Sequence, residues 1–152
     1  MTTGNWMKGL GAGFVATVVL SALMVMKAMM GVMPELNPIK MIADMLGAPP
    51  AVGWAMHFMI GTVLWGTLVA WLNPHLPGES HWLKGIVFAV GAWFVMMAAM
   101  MPMAGAGLFG SHLGMMAPIM TLMLHVVFGF VLGAIYALER PEDTGALQGA
   151  RT

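Results

Sequence analysis

A chain of 152 residues with six basic and six acidic side chains is only 8% charged and 60% hydrophobic. Soluble domains carry about 25% charged residues, so this composition, with a mean hydropathy of +0.86, places the protein in lipid. Zero net charge without a basic cluster excludes a nucleic-acid partner, and the absence of cysteine excludes disulfides, thiolate metal sites and cysteine catalysis.

A membrane span needs about 20 mainly apolar residues. Four stretches qualify, over about 9–33, 52–72, 83–104 and 116–138, which predicts a single all-α membrane domain covering residues 1–152. Met1 to Lys8 is short and polar, and the run after it has no small-residue cleavage site, so it reads as a retained first helix and not a signal peptide. Lys27 lies inside that helix and reads as a snorkelling residue, with an ion pair to Glu35 or Asp44 as the alternative.

Between the first two spans, Asn37-Pro38 resembles a helix start and Gly47 a stop. Ile39, Ile42, Met45 and Leu46 share one face and Lys40 and Asp44 lie off it, the pattern of a short interfacial helix. The second connection, Asn73 to His81, is a polar turn. The third, Ala104 to Gly114, is glycine-rich, carries His112, and is a candidate lid. Residues 139–152 read as a polar, frayed tail.

Lys8, Lys84, Arg140 and Arg151 share one side with both termini, against Lys27 and Lys40 on the other, which predicts cytoplasmic termini. With the spans so placed, every methionine except Met1 and Met7 falls in the half of the bundle away from the termini. A weak repeat accompanies this layout. Trp6-Met7-Lys8-Gly9 opens the first span as Trp82-Leu83-Lys84-Gly85 opens the third, and His57-Phe58-Met59-Ile60-Gly61 resembles His125-Val126-Val127-Phe128-Gly129. The fold expected is a four-helix bundle made from a tandem pair of two-helix hairpins, related by an axis along the membrane normal.

His57 and His125 are the leading site candidates. Ionisable residues within a span are costly and face the bundle interior, and neutral imidazole suits copper, zinc and haem iron. Gly61 and Gly129, each one turn from its histidine, would leave room for a planar cofactor or let two helices approach closely. Met56 with Met59 and Met120 with Met123 put paired sulfurs near the imidazoles, and with His112 they form a candidate soft-metal set. Methionine also fills irregular cores and adaptable surfaces, so packing is the competing explanation. No nucleophile–base pair, carboxylate dyad or phosphate loop is present, and an enzyme is not expected.

The segment Gly53 to Gly61, with the Gly-rich Lys8-Gly9-Leu10-Gly11-Ala12-Gly13 before it, resembles small four-helix inner-membrane proteins of bacteria of the YagU-like type. The resemblance implies a four-helix fold in a bacterial inner membrane and carries no activity; the methionine load is a departure from it. Three functions stay open. One is a non-catalytic accessory subunit of a larger membrane complex, such as an electron-transfer complex, or a homo-oligomer, within the lipid bilayer. The second is a haem b carrier using His57 and His125. The third is a copper-handling protein using the methionines and histidines.

Overall fold

The computed structural model describes residues 3–138. Met1, Glu139, Arg140, Arg151 and the tail expected over 139–152 lie outside the described residues. Five helices organise the chain: α1 (Thr3–Met29), α2 (Pro38–Met45), α3 (Pro50–Leu72), α4 (His81–Met103) and α5 (Met116–Leu138). Helices α1, α3, α4 and α5 are each long and apolar enough to cross a membrane, and no strand occurs among the described residues. The ends carrying Thr3 and Leu138 form the terminal face of the bundle. The opposite, distal face carries α2 and the Ala104–Gly114 connection.

The sequence signals for α2 act as expected. Asn37 accepts the Lys40 amide at 3.0 Å on its side-chain oxygen, with Pro38 in the first turn, where its missing N–H costs nothing. Gly47, at φ +60°, ends the helix: its amide reaches Asp44 O and the Ala48 amide reaches Ala43 O, which satisfies carbonyls of the last turn.

Helix α1 stops at Met29, short of the expected residue 33. Gly31 closes it with the same pair of bonds, and Lys27 then organises the chain beyond. Its ammonium donates to the carbonyls of Val32, Met33 and Leu36, each at 2.9 Å. All three protons are committed, so Lys27 acts as a clamp on the turn. Among the described residues the ion pair formed is Lys40–Asp44, and Lys27 takes no part in it.

Without hydrophobic drive in lipid, helices associate by close packing, and small residues permit it. In the first hairpin Gly13 lies against the backbone of Gly61 and Gly66, Thr17 fills the space beside Gly61, and Gly9 meets Gly66. In the second, Gly85 lies against the backbone of Gly129 and Gly133, Ala89 fills the space beside Gly129, and His81 meets Gly133. The contacts correspond one for one, as a duplicated hairpin requires. They also correct the register. Gly85 occupies the place of Gly13, one turn along from the Gly9 that the Trp-x-Lys-Gly match would pair with it. The physical reason is that the tryptophan and lysine mark where a helix enters the interface, whereas the glycines mark where helices touch.

One difference between the hairpins has a local cause. Gly61 and Gly66 are five residues apart, and in an unbroken α-helix such positions diverge by about 140°. Residues Ile60–Trp65 are wound as a wide π-turn, which absorbs the extra residue and returns Gly66 to the face of α1. A second wide turn, Met96–Met100, precedes Pro102 in α4, whose ring and missing N–H disturb the regular ladder there.

Helices α1 and α5 pack along each other at the centre, each carrying its hairpin partner on its outer side. Ala12, Ala16, Val69, Phe88, Ala89, Phe128 and Leu132 form the main core. A smaller distal core holds Leu36, Met97, Met101 and Ala106. Helices α3 and α4 meet through Trp65 and Phe88, with ring centres 5.8 Å apart, and otherwise stand apart.

Candidate functional site

A cavity of about 120 Å³ lies in the distal half, bordered by all four long helices and by α2. Its wall holds both span histidines, His57 from α3 and His125 from α5. It also holds six methionines: Met24 from α1, Met41 and Met45 from α2, and Met96, Met100 and Met101 from α4. Thr17 and Thr121 are the hydroxyls of the wall, and both donate their protons within their own helices. Thr17 Oγ1 donates to Gly13 O at 2.7 Å, and Thr121 Oγ1 to Ala117 O at 2.8 Å. Among the described residues, no acidic side chain borders the cavity.

The hydrogen-bond partners fix which nitrogen of each imidazole is free. Ser21 Oγ donates its one proton to Thr17 O at 2.7 Å, so at 3.2 Å from His57 Nε2 it can only accept. His57 therefore carries its proton on Nε2 and leaves the Nδ1 lone pair uncommitted. His125 is the reverse. Its Nδ1 lies 2.8 Å from the Thr121 carbonyl, an acceptor only, so Nδ1 is protonated and Nε2 is free. The asymmetry follows from the two hairpins. In packing, Ser21 of α1 corresponds to Trp93 of α4, and the Trp93 indole spends its N–H on Thr121 Oγ1 at 3.0 Å. With no hydroxyl opposite, His125 turns to its own helix.

The other expected site residues are placed differently. Gly61 borders the cavity, but Thr17 takes up the room beside it. The space beside Gly129 is filled by Ala89 and the Gly85 backbone. Both glycines serve helix approach and leave no slot for a ring. Met59 and Met123 are exposed on the outside of the bundle, and Met120 packs on the distal core. Met56 does not border the cavity. His112 is exposed, with Nδ1 donating to Gly105 O at 2.9 Å. Its loop folds back over the ends of α4 and α5, where Phe109 contacts the rings of Trp93 and Phe94, beside the cavity. Of the expected set, the structure thus gathers His57, His125 and Gly61.

The sulfurs that do reach the cavity were partly legible, since Met96 and Met100 are one turn apart on α4. Met41 and Met45 have the same spacing on α2, but only the fold brings α2 over the bundle. Ser21 carries no signal of its own, because its role depends on a residue 36 positions away.

No curated protein and no solved structure matches the chain. A family model does, over residues 3–145, and the chain belongs to that family of unknown function, DUF6789.

Proposed function

We propose that the protein binds a soft, singly charged metal ion, Cu(I), within a bacterial inner membrane, in a cavity of the distal half of the bundle. One observation carries the reading: the uncommitted nitrogen and sulfur lone pairs of the cavity are one nitrogen of His57, one of His125 and the thioether sulfurs of six methionines. Imidazole and thioether together select Cu(I) among biological metals. Charge supports the same choice. The solvation penalty of a buried ion rises steeply with its charge, and among the described residues no carboxylate borders the cavity to offset a divalent ion.

Size favours an ion over haem b. A cavity of about 120 Å³ is smaller than the roughly 300–1,000 Å³ typical of organic ligand sites. The orientation follows the count of Lys8, Lys84, Arg140 and Arg151 against Lys27 and Lys40, which favours a cytoplasmic terminal face and an outer distal face. A second reading, an accessory subunit of a larger membrane complex, draws on the exposed distal rim, where Met29 is 84% and Met115 88% exposed.

Titration of the purified protein with Cu(I) against a competing chelator tests the proposal. One ion per chain is expected, with His57→Ala and His125→Ala each weakening binding by roughly tenfold or more, the worth of about 1.4 kcal/mol. Met59→Leu and Met123→Leu, outside the cavity, should leave affinity unchanged. A protein that binds no Cu(I) and purifies with larger subunits would instead support the accessory role.

A further inference from the structure

A second concavity opens on the distal face, a groove of about 430 Å³ between α1, α2 and the start of α3, with Trp54 at one side. Two residues border both the groove and the histidine cavity: Met24 and Pro38. Together they form the wall between the two spaces. Pro38 is fixed in the first turn of α2. Met24 is 7% exposed, and its unbranched side chain can change rotamer without moving a helix.

We infer that the groove is the route by which the ion reaches the cavity, and that Met24 is the gate and the selective step. This rests on the soft-metal reading of the cavity. The surrounding groove is held open by fixed parts: Lys27 is clamped by three carbonyls, and Asn37 caps α2. Charge gives an incoming cation no help, because Lys27 and Lys40 outnumber Asp44 among the groove residues. Every cation meets the same repulsive vestibule, and a hard cation finds beyond it a sulfur that it does not coordinate. A soft cation exchanges its outer ligand for the Met24 thioether, swings inward with that side chain, and passes to the imidazoles and sulfurs beyond. No bond within the protein forms or breaks, and no electron moves; the step is ligand exchange at a constant metal charge.

Ag(I), a redox-inert analogue of Cu(I), is the probe. Its uptake by the full-length protein is followed in a stopped-flow instrument through tryptophan fluorescence, with Trp65 on the cavity wall as reporter. Met24→Leu keeps the volume and removes the sulfur. It should slow uptake roughly tenfold, a barrier change of about 1.4 kcal/mol, and by clearly more than it weakens equilibrium affinity. Met41→Leu, on the cavity wall but not the groove, should weaken affinity and spare the uptake rate. Equal uptake by wild type and Met24→Leu overturns the gate. A loss of affinity as large as the loss of rate overturns it too, since Met24 would then be a resident ligand.

The route has a separate readout. The chain has no cysteine, so Leu20→Cys, which borders the cavity and not the groove, gives one target for a water-soluble thiol reagent. Labelling should accelerate when Met24→Ala is added, and equal rates overturn the route. If wild type takes up no silver but labelling accelerates, the metal reading fails and the passage stands.

Discussion

At the residue scale, the cavity is defined by which atoms have nothing left to do. Ser21 and the Thr121 carbonyl commit one nitrogen of each histidine, and opposite ones. Nitrogen-15 NMR of histidine-labelled protein should therefore show His57 protonated at Nε2 and His125 at Nδ1. Replacing Ser21 by Ala should release the preference of His57 and leave His125 as it was. Identical tautomers in the wild type would remove the geometric basis for a nitrogen pair facing the cavity. Lys27 teaches the complementary lesson. Its charge suggested snorkelling, but three carbonyls within reach use its protons locally, a stronger outcome than hydration at an interface.

Helix α3 shows how one extra residue is absorbed at the scale of an element. Its two packing glycines sit five apart where those of α5 sit four apart, and the wide turn over Ile60–Trp65 restores the common face. Deleting Val63, half-exposed within that turn, should convert it to regular helix with the spacing found in α5. The expected result is a folded protein with a melting temperature within a few degrees of wild type. Deleting Val131, between Gly129 and Gly133, removes a residue from an already regular turn and rotates Gly133 about 100° off the interface. That variant should misfold or melt far lower, as measured by thermal denaturation in detergent. Similar losses from both deletions would refute the account of the bulge.

The whole molecule depends on the seam between α1 and α5, because α3 and α4 hardly touch. Ala16 is fully buried in the core along this seam, with no spare volume for a larger side chain. Ala16→Leu should destabilise the bundle by about 1–3 kcal/mol, the usual cost of overpacking, and show as a lower denaturation midpoint. Ala98→Leu, on a partly buried stretch of α4 away from that core, should cost less. The same arrangement explains the cavity: two tightly packed hairpins joined along one seam leave a gap on the opposite side, and α2 crosses its distal end.

Much of this architecture is written in local pattern. Four apolar runs, the Asn37-Pro38 start, the Gly47 stop and the crowding of methionines into one half follow from hydropathy, capping chemistry and chain direction, none of which needs a tertiary contact. The repeated His-x-x-x-Gly likewise pointed to the two imidazoles that meet in one cavity. The fold alone decided what surrounds them. Met24, Met41 and Met101 reach that cavity while Met59 and Met123 face outward, because in a lipid-embedded helix both faces are apolar and periodicity no longer separates inside from outside. For the same reason the glycines beside the histidines turned out to be filled by Thr17 and Ala89: whether a missing side chain leaves a space or receives a neighbour depends on the opposite helix.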